Sequence, residues 1–218
     1  MNDEAKANRT ARPLRLGVLL SGGGRTLLNI LDRAKAGRLA AEVAVVIASR
    51  PCKGADRAAA AGLDVHVVPY KDMPDAGVYS ERLAEMLDAA EADLVCLAGF
   101  LSLWEIPPRY AGRVMNIHPA LLPTFGGHGM YGHHVHEAVL AAGCKVTGCT
   151  VHFVTNEYDA GPIIVQRCVP VLEGDDADSL ADRVFEQECI AYPDAIGLFA
   201  AGRLRIDGRV VRVAPEEA

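Results

Sequence analysis

The chain has 218 residues, half of them apolar, and a formal net charge of −6. That length and composition suit one sizeable globular domain with a full core. The acidic balance argues against a nucleic-acid backbone as the main partner, since phosphate contacts need clustered Lys and Arg, and no run of about 18 apolar residues offers a membrane span.

Residues 1–13, MNDEAKANRTARP, are polar and mixed in charge. They lack the apolar core of a secretory signal and read as a disordered leader. LRLGVLL (14–20) is an apolar strand that runs into SGGG, and RTLLNILDRAKAG follows with helical spacing, Leu27, Leu28, Ile30 and Leu31 on one side and Gly37 as a stop. EVAVVIAS (42–49) is a continuous apolar run typical of a strand buried on both faces. An alanine-rich helix (54–61), a strand DVHVVP (64–69), a helix (79–92) and a strand DLVCLAG (93–99) come next. Strands that alternate with helices predict an α/β fold, a doubly wound and mostly parallel sheet with helices on both faces.

The pattern changes after residue 113. RVMNI is a short strand and GHHVHEAVLAAG (132–143) a helix. TGCTVHFVT (147–155) and PIIVQRCVPV (162–171), joined by NEYDAG, predict an antiparallel pair, which makes the sheet mixed. Residues 178–202 are helical, with Pro193 expected to kink or split the helix. RLRIDGRVVRV (203–213) predicts a last hairpin that turns at Asp207-Gly208. The expected organisation is a leader over 1–13, one domain over 14–213 and a tail over 214–218. The six cysteines are scattered without a CxxC pair, which predicts a reduced, cytoplasmic protein with no zinc site.

Four stretches carry candidate chemistry. In LLSGGGRTLLNI (19–30), three glycines precede a helix start, an arrangement that offers open N–H groups to a phosphate. It is neither a dinucleotide fingerprint nor a Walker A loop, and a tight turn without ligand is the other reading. In VMNIHPALLPTFGG (114–127), Asn116 and His118 follow an apolar strand, where α/β sheets bind their ligands. Asn offers a donor to a developing oxyanion and His a proton near neutral pH. In VHFVTNEYDAGPII (151–164), alternation makes His152 a hydrogen-bonded sheet histidine, while a loop carboxylate, Glu157 or Asp159, would raise the pKa of His118 if the two met and is otherwise a solvated turn acid. In GGHGMYGHHVH (126–136), four histidines crowd together, but adjacent His133 and His134 point apart and no acid or cysteine completes a metal set.

Together these stretches resemble the phosphoribosylglycinamide formyltransferase family of folate-dependent formyltransferases, over about residues 14–205. The resemblance rests on SGGGRTLLNI, LAGFLSLW, AGRVMNIHPALLP, GCTVHFVTNEYDAGPIIVQ and the helix around FEQECIAYP. It implies a formyltransferase-like α/β fold and a catalytic trio of Asn116, His118 and Asp159. It implies transfer of a formyl group from 10-formyltetrahydrofolate to the amine of glycinamide ribonucleotide, in purine synthesis. Gly24, Arg25 and Thr26 would hold the substrate phosphate and Glu188 the substrate's ribose side. The folate would use Leu101, Ser102, Leu103, Trp104, Asn116, Thr155, Asn156, Glu157 and Tyr158. The implied partners are small molecules, with no metal, nucleic acid or membrane, and a monomeric or homodimeric chain.

Three departures from the family pattern stand out. Arg25-Thr26 occupies the place of Ser-Asn in many relatives, and its charge favours a phosphate. Ser102 and Ala76 stand where arginines often meet the folate tail, with Lys71 as a possible substitute. FGGHGMYGHHVHEAV is longer than the matching loop in many members and would form a flap. Two other activities fit the same residues: hydrolysis of 10-formyltetrahydrofolate, and a non-catalytic nucleotide- or folate-binding domain.

Overall fold

The computed structural model describes residues 12–216. Residues 1–11 of the expected leader and 217–218 of the expected tail lie outside the described residues. The chain forms two compact units. The first holds the described residues through Met115 together with Phe199–Gly202; the second holds Asn116–Leu198 and the described residues from Arg203 on.

The first unit alternates strand and helix: β1 (Leu14–Leu20), α1 (Arg25–Lys35), β2 (Ala41–Ala48), α2 (Lys53–Ala60), β3 (Val65–Val67), α3 (Ala76–Ala89) and β4 (Leu94–Leu97). Its strands lie in the order β3-β2-β1-β4, all parallel. The apolar runs are the cause. Leu16, Val18, Leu19 and Leu20 of β1 are fully buried, as are Val46, Ile47 and Ala48 of β2, so each strand is covered on both faces. Gly17 interrupts β1 because an added Cβ would overlap the side chain of Leu87 on α3. Helix α3 starts at Ala76, three residues before the apolar pattern places it, because the Asp75 carboxylate accepts the Val78 N–H at 2.8 Å and caps the first turn.

Strand β5 (Val114–His118) enters the second unit at Asn116. Then follow α4 (His133–Ala141), β6 (Val146–Phe153), β7 (Ile163–Pro170), α5 (Ala177–Ala200), β8 (Leu204–Asp207) and β9 (Val210–Val213), with strand order β5-β6-β7-β9-β8. The expected pair β6–β7 is antiparallel, running from Val146↔Pro170 to His152↔Ile163, with a register shift between Val151 and His152. β7–β9 is parallel and β8–β9 antiparallel, so parallel pairings predominate in a mixed α/β arrangement.

Two local expectations are corrected. Of the kink or split expected at Pro193, the split does not occur: helix α5 runs unbroken through it. The proline removes a single backbone donor, and the helix buries Leu180, Val184, Ala191, Tyr192, Pro193, Ala195 and Ile196, an apolar stripe that holds both halves in place. The last hairpin turns on Gly208-Arg209, one residue later than expected, because Asp207 still pairs with Val210. Gly208, at φ 60°, takes the first turn position, where positive φ favours glycine.

Candidate active site

The second unit brings Asn116, His118 and Asp159 together. The extended backbone of β5 turns residues 116 and 118 the same way; Asn116 is half-buried, His118 only 3% exposed, and Ile117 buries its side chain as well. The Nε2–H of His118 donates to the Phe125 carbonyl at 2.8 Å. Its Nδ1 lies 3.6 Å from Oδ2 of Asp159, which also accepts the Gly127 N–H at 2.9 Å. Both nitrogens of His118 therefore face oxygen acceptors, a pattern that the doubly protonated ring satisfies best.

Backbone strain aims those acceptors. Phe125 and Asp159 hold φ of 53° and 50°, a left-handed region that non-glycine residues seldom occupy and that costs of order 1–3 kcal/mol each. Gly126 lets the loop pass beneath them, since an added Cβ would lie 2.5 Å from Leu122 Cδ2 and 3.1 Å from Asp159 Cβ. The chain leaving His118 is pinned as well. Thr150 donates its hydroxyl to the Ala120 carbonyl at 2.7 Å and accepts the Leu122 N–H at 3.0 Å. The Gln166 amide donates to the Leu122 carbonyl and to Thr150 Oγ1, both at 3.0 Å.

His152 joins this group, where alternation along β6 had made it only a sheet histidine. It is 1% exposed. Its Nδ1–H donates to the Phe153 carbonyl at 2.9 Å. Its Nε2 lies 3.3 Å from Asn116 Nδ2 and 3.5 Å from Asp159 Oδ1. Thr150, Gln166 and His152 share β6 and β7, and the signal that finds them is that pairing rather than any motif.

Burial sets the electrostatics. It pushes the His118 imidazole below its ordinary value, against the opposing pull of Asp159 and the Phe125 carbonyl, with His152 adding to the lowering. Asp159 thus lifts His118 as a pair, but desolvation decides the net direction. Burial also works to raise Asp159, yet contact with His152, the charge of His118 and the Gly127 N–H together hold it below the usual carboxylate range. His136 on α4, 4% exposed, falls to about 4, first through burial and then through His133 and His118.

The remaining second-unit candidates are spread out. Thr155, Asn156, Glu157 and Tyr158 are exposed. Thr155 Oγ1 accepts the Glu157 N–H at 3.4 Å, closing a short turn, and the Tyr158 ring meets His128 edge-on at 5.6 Å. Glu188 is half-buried on α5 and its charge bears on Cys149, whose thiol is pushed up to about 12 chiefly by burial. The histidine cluster diverges: His133 pairs with Asp178 at 3.4 Å, His134 with Glu137 at 3.3 Å, and His136 turns inward.

In the first unit, Gly24 has φ 73° and caps α1, which starts at Arg25-Thr26. Its backbone lies against Gly54 of α2 so closely that an added Cβ would stand 2.7 Å from Gly54 Cα. The Gly54 N–H donates to the Gly22 carbonyl at 2.9 Å, Arg57 to the Gly23 carbonyl at 2.6 Å and Arg50 to the Ser21 carbonyl at 2.8 Å. No sequence motif singles out Arg50 and Arg57, although SRPCKGADR after β2 is a second glycine-bearing basic stretch at a strand's carboxyl end. Leu101 and Leu103 are exposed, Ser102 half-buried, and Leu101 donates its N–H to Ser21 Oγ at 2.8 Å. Trp104 is buried, its indole N–H on the Ser80 carbonyl at 3.2 Å, so its side chain anchors this stretch rather than facing outward. Among the described residues no helix is long and apolar enough to cross a membrane.

Comparison with known proteins gives a consistent set. The formyl transferase family matches residues 14–196. Phosphoribosylglycinamide formyltransferase of Escherichia coli (strain K12) is 38% identical over 192 residues, 87% of this chain and 88% of that one. A trifunctional purine biosynthetic protein adenosine-3 of Drosophila pseudoobscura pseudoobscura is 40% identical over 226 residues. That match takes in 99% of this chain but only 16% of the longer relative. The crystal structure of glycinamide ribonucleotide transformylase 1 from Symbiobacterium toebii is similar with a TM-score of 0.86 and 45% identity, covering 93% of this chain and 95% of that one.

Proposed function

The chain belongs to the formyl transferase family, and on that premise we propose that it transfers a formyl group from 10-formyltetrahydrofolate to the amine of glycinamide ribonucleotide, a step of purine synthesis. The observation that carries this reading is the convergence of Asn116, His118 and Asp159 in the second unit, joined by His152. The names of the relatives above support glycinamide ribonucleotide as the acceptor, and the resemblance in sequence implies the folate donor.

The folate supplies the formyl carbon, bonded to its N10. The neutral substrate amine forms the new C–N bond, and the carbonyl π pair moves onto the formyl oxygen. Asn116, through an amide N–H, and His118, through the Nε2–H that leaves the Phe125 carbonyl for the substrate, stabilise that developing oxyanion. The oxygen pair then re-forms the carbonyl as the C–N10 bond breaks, with its electron pair left on N10. His118 passes to N10 the proton that the amine gives up. Asp159 keeps His118 in place and offsets part of the burial that disfavours its charged form.

The outer contacts follow the same reading. Gly24, Arg25 and Thr26 hold the phosphate, where the start of α1 adds a partial positive charge. Glu188 serves the ribose side of the substrate. Exposed Leu101 and Leu103 offer apolar surface to the folate, with Ser102 and the Trp104 backbone beside them in sequence. In the second unit, exposed Thr155, Asn156, Glu157 and Tyr158 offer backbone and ring contacts. A test is to incubate the chain with 10-formyltetrahydrofolate, with and without glycinamide ribonucleotide, and to follow the folate product. Turnover only with the amine is the expected result. Turnover without it means a hydrolase, and none in either case means a binding domain.

A further inference from the structure

We propose that His152 is a positioning residue: it holds the Asn116 amide with one N–H on its own Nε2, so that the other N–H meets the developing oxyanion. The proposal rests on the formyl-transfer reading above and deepens it.

The Phe153 carbonyl starts the argument. It accepts the His152 Nδ1–H at 2.9 Å, and a carbonyl can only accept, so the ring proton sits on Nδ1. The local backbone is shaped to allow this. The β6–β7 register shifts between Val151 and His152. Gly161 passes so close to the Phe153 carbonyl that an added Cβ would overlap it.

With its proton on Nδ1, His152 turns a lone pair outward at Nε2. Asn116 Nδ2 lies 3.3 Å from that atom. Turning the amide over would set Oδ1 against the same lone pair, two acceptors facing each other in a site where His152 is 1% exposed. The tautomer of His152 therefore selects the amide orientation. The opposite orientation would point a carbonyl oxygen at the oxyanion and oppose the reaction. In this tautomer Asp159 Oδ1, 3.5 Å from Nε2, receives no hydrogen bond from His152, and the carboxylate is held low by the charge of His118 and the Gly127 N–H instead. The competing arrangement is a doubly protonated ring with Nε2–H on Asp159 and the amide reversed.

The test combines a spectrum with kinetics on the full chain. Nitrogen-15 NMR of the histidine-labelled protein at neutral pH should show His152 protonated at Nδ1 and bare at Nε2. His152→Phe should lower kcat on the order of tenfold with KM little changed, less than the roughly 10²–10³ expected for losing an oxyanion donor outright. His152→Gln, whose Oε1 can accept from Asn116, should recover part of that loss. In an Asn116→Ala background, His152→Phe should cost much less than in the wild type, because its route through the amide is gone and only its weaker effect on Asp159 and His118 remains. Protonation of both His152 nitrogens overturns the proposal, as does an undiminished loss in that background. If the wild-type chain transfers no formyl group, the transfer reading fails, and the spectrum alone then decides how His152 holds Asn116.

Discussion

Phe125 and Asp159 both hold left-handed backbone, and each aims an oxygen at one nitrogen of the same imidazole, His118. The two contacts differ in kind. The Phe125 carbonyl is a neutral acceptor at 2.8 Å, while Asp159 acts by charge from 3.6 Å. Both work to raise the His118 pKa, and both are overcome by burial. Removing the charge while keeping the shape separates the two. In Asp159→Asn the His118 ring should titrate at a lower pH than in the wild type, followed by ring NMR against pH. Turnover should fall on the order of 10². An unchanged or raised His118 midpoint would contradict this account.

Asn116→Ala and His118→Ala each remove a proposed oxyanion donor from a site whose frame does not depend on it. The exit from β5 is held by Thr150 and Gln166 instead. Each variant should lose about 10²–10³ of turnover and should keep a cooperative unfolding transition, lowered for His118→Ala because its buried ring also satisfies the Phe125 carbonyl. Near-normal turnover by purified His118→Ala would remove this residue from the mechanism.

How far the sequence reveals this site depends on the kind of neighbour involved. Asn116 and His118 stand out because two polar side chains end an apolar strand, and one strand's geometry already says that they turn the same way. Asp159 needed the family resemblance, since a lone loop acid reads as a solvated turn. His152 reads only as a sheet histidine because alternation along β6 tells which face a residue takes, not what lies opposite. Its partners come from β5 and the β6–β7 loop. The same limit applies at Arg50 and Arg57, whose contacts with the glycine loop arise because β1 and β2 are neighbours. Helix α3 shows the reverse case: its start was one side-chain contact away, in the Asp75 cap, but apolar periodicity cannot register a cap.

Two glycines give opposite expectations. Gly161→Ala would drive a Cβ into the Phe153 carbonyl. It should destabilise the fold by about 1–3 kcal/mol and disturb the acceptor that fixes His152. Gly197 lies inside α5, and a Cβ added there meets nothing within 4 Å. Gly197→Ala should stabilise by about 0.5–1 kcal/mol through helix propensity. Urea midpoints of the two variants against the wild type test both, and midpoints shifting in the same direction would contradict the packing described.

His136 makes stability depend on pH. Its pKa falls from the ordinary 6.5 to about 4 on folding, and its buried Nδ1 has no hydrogen-bond partner among the described residues. The unfolded chain therefore binds a proton that the folded chain refuses between those two values. Stability is fully present above about 6.5 and is lost as pH falls toward 4, on the order of 3 kcal/mol from this group. His118, also lowered by burial, acts in the same direction. His136→Phe keeps a ring of similar size and removes the nitrogen that must stay neutral. Urea midpoints at pH 7.5 and 4.5 should show a smaller acid loss for this variant than for the wild type, with the variant at least as stable at pH 7.5. An acid loss equal to that of the wild type would mean that His136 is not the group whose protonation opposes folding.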